Sequence, residues 1–321
     1  MLPHVIHAPV AAALDPETWA RDNVETVRRD LVRHGAVLLR GFRIDSPQRF
    51  ETVYGTLLGA PLPYVERSSP RTAVNGNVFT STEYPASRPI FLHNEQSYNL
   101  TFPRFIGFYC QTPAQEGGET PLADTRRVWS RIAPTVREAL IERDYLYRRV
   151  FGAGMGYAWR DAYQVDTPEA LQAYCDSRAI SLTWLDDARL MAVTSQRRSV
   201  AARHPESGEL TWFNHLTFFH SSTLEPDLRE LMSEVCAQDE LPHATYFGDG
   251  AEIDDDIVDG LRAAYRAEEV AFTWQAHDLL LLDNLLTAHG RRPFRGERRV
   301  LVAMSEGENW SNVALASAPP V

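Results

Sequence analysis

A succession of short apolar runs, each bounded by turn-forming residues, occupies the chain from about residue 88 onward. Such runs are typical of β-strands. Helical patterns interrupt them near 126–143, 168–178, 225–238 and 255–267, clustered rather than alternating with the strands. This arrangement favours a mainly β fold with flanking helices and a β-sandwich or jelly-roll core over a parallel βαβ sheet. The predicted strands are PIFLHNE, RFIGFYC, SLTWL, LMAVTSQ, LTWFN, VAFTWQ, DLLLLDN and RRVLVAMSE.

A helix, a strand and a second helix are predicted before this β-rich part. Residues 16–34 have apolar side chains at helical spacing, and AVLLRGF at 36–42 has the length of a strand. Ser46-Pro47 then has the order of an N-cap followed by a first-turn proline. No Gly-, Ser- or Pro-rich linker divides the chain and no glycine-rich phosphate loop follows a strand. Residues 1–321 are therefore predicted to form a single domain with helical insertions, and not a nucleotide-binding fold.

The charge balance limits the partners of such a domain. Lys and Arg number 32 against 43 Asp and Glu, a formal net charge of -11. Nucleic acids and anionic membranes bind clustered basic residues, so small molecules or another protein are the expected partners. Cys110, Cys175 and Cys236 form no CxxC pair, and no signal peptide or bilayer-length apolar run is found. These features indicate a cytoplasmic location.

The stretch FLHNEQSY, residues 91–98, places a histidine and a carboxylate two positions apart in an apolar strand. Residues two apart on a strand point to the same face, so His93 and Glu95 are predicted to project together. The pattern alone is weak evidence, because ten histidines and 43 acidic residues make about one such triplet expected by chance. A second copy, His204-Pro205-Glu206, lies in a Pro-, Ser- and Gly-containing stretch that predicts a solvent-exposed turn.

A buried carboxylate at Glu95 needs an ion-pair partner or a bound cation, because burying a free charge costs several kcal/mol. Residues 278–306, DLLLLDNLLTAHGRRPFRGERRVLVAMSE, place His289 just past a buried strand and the doublet Arg298-Arg299 at the start of the next. Two neighbouring strands could thus present an imidazole and a guanidinium to one cavity. With His93 the set becomes two imidazoles and one carboxylate, which suits one face of a non-haem Fe(II).

Taken together, these stretches resemble the taurine dioxygenase/clavaminate synthase-like family of Fe(II)- and 2-oxoglutarate-dependent dioxygenases. That family folds as a distorted double-stranded β-helix, a relative of the jelly roll, so the resemblance implies such a core here. It extends over most of the chain from about residue 34. The stretches that carry it are GAVLLRGF, ERSSPRT, TSTEYP, LHNEQSY, PAQEGGETPLAD, WFNHLTFFH, YFGDG, LLLLDNLLTAHGRRPF and RRVLVAM.

By this resemblance, His93, Glu95 and His289 are the iron ligands. The commonest carboxylate ligand of the family is aspartate. Glu95 resembles instead the clavaminate synthase branch and the hydroxylases that serve nonribosomal peptide synthesis. Halogenating relatives lack the carboxylate so that chloride can bind iron, and the presence of Glu95 therefore argues against halogenation.

The resemblance also implies a site for 2-oxoglutarate. Thr120 of GGET matches a threonine that hydrogen-bonds the cosubstrate, and its distal carboxylate would pair with Arg298, or alternatively with Arg299. A guanidinium can hold a carboxylate by two charge-assisted bonds, each worth about 1.5 to 3 kcal/mol. Taurine-like substrates are held by a further arginine four residues on, where this chain has Val302 or Ala303. A free acid held in that way is therefore not expected.

Four further residues are candidates of lesser weight. His215 and His220 in WFNHLTFFH are interpreted as core histidines among aromatic side chains, with a position near the substrate as the alternative. Arg71 and Glu83 lie in polar, turn-forming stretches upstream of the first ligand. These stretches are expected to shape the mouth of the substrate site or to be exposed loops.

The sequence therefore predicts a dioxygenase that uses Fe(II), 2-oxoglutarate and O2 and releases succinate and CO2. The predicted reaction is hydroxylation of an unactivated C–H bond in an amino acid or a carrier-protein-tethered aminoacyl group, in natural-product (antibiotic) biosynthesis. Desaturation, epoxidation and ring closure are alternatives within the family. Two alternatives lie outside it: a zinc hydrolase, which the lack of an HExxH motif disfavours, and a non-catalytic jelly-roll binding module.

Overall fold

A computed structural model of the chain describes residues 2–9, 15–69, 71–82, 84–152, 158–224, 226–235 and 241–315. The helices are α1 Pro16–His34, α2 Pro47–Leu58, α3 Thr125–Arg131, α4 Pro134–Arg143, α5 Trp159–Tyr163, α6 Pro168–Ser177, α7 Leu216–Phe219, α8 Pro226–Val235, α9 Asp255–Glu268 and α10 Trp310–Val313. A short 3-10 helix spans Ser221–Thr223. Helices and strands take about equal shares of the described residues. The sequence-based expectation of a mainly β chain therefore overestimated the strand content.

The largest sheet has seven strands in the order β1-β2-β15-β6-β18-β4-β3. These strands are β1 His4–His7, β2 Ala36–Arg40, β3 Ala73–Asn75, β4 Val78–Thr80, β6 Thr101–Thr112, β15 Leu279–Asp283 and β18 Arg299–Asn309. A four-stranded sheet has the order β10-β11-β9-β14 and contains β9 Tyr145–Phe151, β10 Ser181–Trp184, β11 Ala192–Arg198 and β14 His243–Phe247.

Three smaller sheets complete the described strands. A three-stranded sheet, β5-β16-β8, contains β5 Ile90–His93, β8 Leu122–Asp124 and β16 Thr287–Arg291. Two-stranded sheets pair β12 Ala201–Arg203 with β13 Leu210–Trp212, and β7 Glu116–Gly117 with β17 Phe294–Arg295. The three-stranded sheet is the one that bears on function, because two of its strands carry the histidines predicted to bind metal.

The first two helices begin and end where the sequence predicts. The Asp15 carboxylate accepts a hydrogen bond from the backbone of α1, and Gly35 ends that helix at φ 78°, in the left-handed region that favours glycine. The Ser46 side chain caps α2 in the same way, by accepting from the Arg49 N–H at 3.1 Å. Both helices cover one face of the seven-stranded sheet, where Leu279 and Leu281 are fully buried beneath them.

Three sequence-based expectations differ from the structure. Residues 126–143 form two helices, because Pro134 starts a new one and disfavours helical backbone in the residue before it. VAFTWQ is not a strand: only Val270 forms a β-bridge there, to Leu122. Helix α8 ends at Val235, and the remainder of the predicted 225–238 segment lies outside the described residues. In the part of the chain described here, no helix is long and apolar enough to cross a membrane.

Candidate active site

The two histidines of the predicted metal site lie opposite each other on neighbouring strands. His93 is the last residue of β5, and its register partner on the antiparallel strand β16 is His289. The two ring centroids are 4.6 Å apart. Antiparallel pairing puts opposite residues on the same face of the sheet, so both imidazoles project from that face.

Glu95 lies beyond the end of β5 and so is not part of the strand, but its carboxylate projects to the same place as the His93 ring, as expected. Its place is fixed instead by Asn284, which follows strand β15. The Asn284 side chain accepts a hydrogen bond from the Glu95 N–H at 2.9 Å and donates to the Glu95 carbonyl at 2.9 Å and the Pro103 carbonyl at 2.8 Å. Asn94 donates in turn to the Asn284 carbonyl at 2.6 Å. Sequence reasoning missed Asn284; the signal for it was an amide directly after a buried strand.

Together His93, Glu95 and His289 form a compact triad. One ligand atom from each lies within 4.8 Å of the other two, and no other group of three His, Cys, Asp or Glu among the described residues could hold a metal ion. The His289 Nε2 is 4.0 Å from the Glu95 Oε2. The His93 Nδ1–H donates to the Phe91 carbonyl at 2.8 Å, which leaves Nε2 as the ring atom with a free lone pair.

Burial prepares both imidazoles for a metal. Loss of solvation lowers the pKa of His93 and lowers that of His289 well below its usual value, because the charged form is disfavoured in a dry site. Histidine binds metals in its neutral form, so no proton has to be displaced from either ring near neutral pH. The donor set and its protonation therefore fit a divalent cation.

Arg71, a candidate from the polar stretch before the first ligand, is buried beside the triad. Its Nη2 donates to the Glu95 Oε2 at 2.7 Å, and the two side chains are only 3% and 5% exposed. The guanidinium lies over the Tyr64 ring, 4.7 Å from its centroid. Glu95 is therefore held by an ordinary salt bridge and also lies at the candidate metal site. The other named candidate of this region, Glu83, lies outside the described residues.

A cavity next to the triad brings together the residues predicted to bind 2-oxoglutarate. It is lined by His93, His289, Thr120 and Arg298, with Arg291 among its other wall residues. The Thr120 hydroxyl accepts a hydrogen bond from the Trp274 indole N–H at 3.1 Å, which sequence reasoning did not foresee. Arg298 is partly buried and donates from Nε to the Gly118 carbonyl at 3.1 Å.

The two arginines of the doublet have different environments. Burial, with a smaller contribution from Arg291, lowers the pKa of Arg298 to about 10, so it remains charged at neutral pH. Arg299 is exposed at the start of β18 and does not line the cavity. Arg291 holds the loop above the cavity by donating to the carbonyls of Tyr84, Pro85 and Arg88. Arg298 is thus the doublet member placed beside the triad.

The second histidine–acid pair lies at the exposed turn that was expected, but its histidine is buried. His204 is fully buried, and its Nε2 lies 3.0 Å from the Asp283 Oδ2. Arg104 donates to the same carboxylate at 2.9 Å. Burial raises the pKa of Asp283, but Arg104 and His204 outweigh this and hold that pKa below its ordinary value. This network fixes the end of β15, directly before Asn284.

The remaining histidine candidates are buried and hydrogen-bonded. The His215 Nδ1 is 2.7 Å from the Ser97 hydroxyl, and its ring packs edge-on against His93 at 5.4 Å. The His220 Nε2 is 3.1 Å from the Ile253 carbonyl and its Nδ1 is 2.8 Å from the Ser222 hydroxyl. Both are therefore hydrogen-bonded as core histidines are, and His215 also packs against the triad through the His93 ring.

The fold and the site point to a class of protein: two histidines and one carboxylate that fit a single metal ion, beside a pocket lined by the partly buried guanidinium of Arg298. Comparison with known families agrees. The model of the taurine catabolism dioxygenase TauD, TfdA family matches residues 4–304. The chain belongs to this family, and is a dioxygenase that uses iron and 2-oxoglutarate.

Two curated relatives are similar over most of their length. The dapdiamide synthesis protein DdaC of Enterobacter agglomerans is 38% identical over 304 residues, covering 94% of this chain and 91% of the relative. A clavaminate synthase-like protein of Arabidopsis thaliana is 31% identical, covering 84% of this chain and 81% of the relative.

Solved structures show the same fold at low identity. Asparagine oxygenase in complex with Fe(II), 2S,3S-3-hydroxyasparagine and succinate superposes with a TM-score of 0.57 at 15% identity, over 94% of this chain and 93% of that one. PvcB, an Fe, alpha-ketoglutarate dependent oxygenase from an isonitrile synthetic pathway, superposes with a TM-score of 0.52 at 15% identity, over 94% of this chain and 84% of that one.

Proposed function

We propose that this dioxygenase hydroxylates an unactivated C–H bond of an amino acid or of an aminoacyl group tethered to a carrier protein, in the biosynthesis of a natural product. The observation that carries the proposal is the adjacency of three features: the triad, the partly buried Arg298, and a larger cavity that reaches the triad at Phe218. The names of the relatives support it, since one serves dapdiamide synthesis and a structural neighbour is an asparagine oxygenase.

The proposed core is a double-stranded β-helix within one domain that spans the chain. Its two walls would be the seven-stranded and three-stranded sheets. In support, the cavity beside the triad has lining residues from both sheets, Phe108 and Val300 from the larger one and Ile90 and His289 from the smaller one. A pocket between two sheets is closed to bulk water on two sides, as an oxidation site requires.

In the proposed site His93, Glu95 and His289 would hold the iron. Arg298 pairs with the distal carboxylate of 2-oxoglutarate, and Thr120 donates a hydrogen bond to it. Iron with 2-oxoglutarate supplies the oxidising chemistry, in which O2 is consumed and succinate and CO2 are released. The chain's own part is to fix these groups in place and to keep water out.

We propose that the substrate is tethered because β18 has no basic side chain, at the positions considered, that could bind the free carboxylate of an amino acid. Val302 is fully buried in the apolar cluster that contains Tyr64 and Phe79, and Ala303 is buried on the other face. An acid bound as a thioester has no free carboxylate that would need such a partner. Comparing turnover of free amino acids with that of their carrier-bound forms tests this point, and preference for the free acids would refute tethering.

The decisive experiment is an anaerobic titration of the metal-free protein with Fe(II) and 2-oxoglutarate. A chelated keto acid on iron produces a weak visible charge-transfer band, and we expect this band in the wild type and its loss in His289→Ala. Retained substrate-dependent succinate production in alanine variants of all three triad residues would refute the site. Product mass then distinguishes hydroxylation, which adds one oxygen, from desaturation, which removes two hydrogens.

A further inference from the structure

A second cavity, larger than the one at Arg298, shares part of its wall. It has a volume of about 630 Å³, and we call it the Phe218 cavity. Thr82 and Ile90 line both cavities. The Phe218 ring, which forms part of its wall, lies 4.7 Å from the His93 ring, centroid to centroid. The Phe218 cavity therefore adjoins the metal site through the Phe218 ring.

The wall of the Phe218 cavity is positively charged, although the whole chain has a formal net charge of -11. Three arginines line it: Arg88, from the loop before β5, and Arg262 and Arg266, from α9. The two arginines of α9 are four residues apart, so they lie on the same helix face. The acid in the lining, Asp259, is already paired with Arg262 at 2.7 Å.

The three arginines differ in how firmly they are held. Arg262 is only 8% exposed in its side chain and donates to the hydroxyls of Ser222 at 2.8 Å and Thr223 at 2.6 Å. Arg88 and Arg266 are exposed, and neither side chain has an ion pair or hydrogen bond to another described residue. Arg262 is thus fixed in place with its charge matched by Asp259, whereas Arg88 and Arg266 supply the unmatched positive charge and have donors free for a ligand.

We propose that Arg88 and Arg266, backed by Arg262, form an anion-binding site at the entrance of the Phe218 cavity. This site would hold an acidic group of the substrate, a carboxylate or a phosphate, while the carbon to be oxidised lies at the His93 end. The inference rests on the proposed function, because it requires the substrate to occupy this cavity. In this proposal the acidic group of the substrate is bound by arginines of α9 and of the loop before β5. It is not bound at β18, where Val302 is apolar.

Two sources provide such an anion: the free carboxylate of a small substrate, or the phosphodiester of a carrier protein's phosphopantetheine arm. The test is calorimetric titration of the protein loaded with Mn(II) and 2-oxoglutarate, using acetate, inorganic phosphate, pantetheine and 4′-phosphopantetheine as probes. It is repeated with the double variant Arg88→Ala/Arg266→Ala. The matched control is Arg43→Ala, which removes a 63% exposed arginine from the loop between β2 and α2, where it lines neither cavity.

We expect anion affinity to fall at least about tenfold in the double variant and to stay unchanged in the control, since each lost charge-assisted bond is worth about that factor. Tighter binding of 4′-phosphopantetheine than of both phosphate and pantetheine identifies the tethered source. Equal binding of acetate and phosphate, with no gain from the pantetheine arm, identifies a free acid. Both results support the site.

Equal anion affinity in the wild type and the double variant, or no anion binding by the wild type, would overturn the inference. The Fe(II)–2-oxoglutarate charge-transfer band is recorded on the same samples. If the band forms and the anion result is negative, the anion site fails and the dioxygenase function stands. If the band is missing from the wild type, the failure lies in the proposed function itself.

Discussion

At the scale of single residues, the pair formed by Arg71 and Glu95 is the most consequential contact of the site. Both side chains are buried, and the carboxylate has the guanidinium as its cation when no metal is bound. Removing one partner of a buried ion pair strongly destabilises the folded protein, because the other charge remains buried without compensation. The same carboxylate is thus positioned by Arg71 and offered to the metal.

Replacement of Arg71 by methionine should lower the free energy of unfolding of the metal-free protein by about 3 to 5 kcal/mol. Saturating Mn(II) should recover part of the loss, because a bound cation again neutralises Glu95. Urea denaturation with and without metal measures both effects. Arg295→Met is the control, since its ion pair with Glu116 is exposed and should be worth less than about 1 kcal/mol. Equal losses in the two variants would contradict the role of Arg71.

The arginine doublet provides a second prediction at this scale. Arg298→Ala should raise the dissociation constant of 2-oxoglutarate at least about tenfold, because two charge-assisted hydrogen bonds to its distal carboxylate are lost. Arg299→Ala should leave it nearly unchanged, because Arg299 is exposed and outside the cavity. The charge-transfer band of the anaerobic Fe(II) protein reports the affinity. A larger effect at Arg299 would show that the second arginine is the binder.

Sequence reasoning reached the triad and the doublet through the resemblance of whole stretches to a known family, since the His-x-Glu pattern alone is expected about once by chance. It did not reach the contacts that hold them. The buried state of His204 depends on Arg104 and Asp283, which are 100 and 79 residues away in the chain. The role of Asn284 depends on Glu95, 189 residues away. Such partners meet only after the sheets have formed, so no local pattern encodes them.

At the scale of secondary structure, the pairing of β5 with β16 sets the distance between the two histidines. Gly290 follows His289, and a Cβ placed there would lie 2.5 Å from the Ile90 carbonyl oxygen. The Ile90 carbonyl belongs to the backbone and cannot rotate away as a flexible side chain can. The two strands would therefore have to move apart to admit the added Cβ. The glycine is therefore required by the close approach of the strands that carry the ligands.

Gly290→Ala should accordingly weaken metal binding about tenfold or more and destabilise the fold by about 1 to 3 kcal/mol, as overpacking does. Competition titration with a fluorescent metal chelator measures the first effect, and urea denaturation the second. Gly55→Ala in α2 is the matched control, because nothing lies within 4 Å of its added Cβ. That control should gain about 0.5 to 1 kcal/mol and keep its metal affinity. Unchanged metal affinity in Gly290→Ala would refute the argument.

Secondary-structure elements were predicted accurately where all the signals for them lie within one short segment of sequence. Helices α1, α2 and α6 were predicted well, because a capping side chain, a first-turn proline and an apolar face all lie within one segment. Residues 270–275 were wrongly predicted as a strand. Their aromatic side chains, Phe272 and Trp274, pack into the core from an irregular backbone, and only Val270 finds a strand partner. Burial alone does not distinguish that arrangement from a strand.

At the scale of the whole molecule, the site is surrounded by buried histidines that burial keeps in their neutral form. Loss of solvation lowers the pKa of His93, His215 and His289, and lowers that of His243 to about 3. All four lie close to the triad or the Phe218 cavity. In the unfolded chain each would take up a proton near pH 6.5, whereas in the folded protein each resists protonation.

This difference predicts the pH dependence of stability. Below about pH 6.5 the unfolded chain binds more protons than the folded one, so the free energy of unfolding must fall as pH falls. Each such histidine contributes up to about 1.4 kcal/mol per pH unit until its lowered folded-state pKa is reached. Glu66 and Asp144 act in the opposite direction, because burial raises their pKa values and the folded state then takes up the extra protons. These two acids do not offset four histidines.

Urea denaturation of the metal-free protein between about pH 7.5 and pH 5.5 should therefore show a marked loss of stability, with His243→Phe reducing the slope by about one histidine's share. Phenylalanine keeps the ring stacked on Phe219, 4.7 Å away in the wild type. Bound Mn(II) should add stability without steepening the loss, because burial already keeps His93 and His289 unprotonated in the folded protein over this range. A stability that is flat over this range would mean that the histidines titrate normally in the folded protein, and that the triad is open to water.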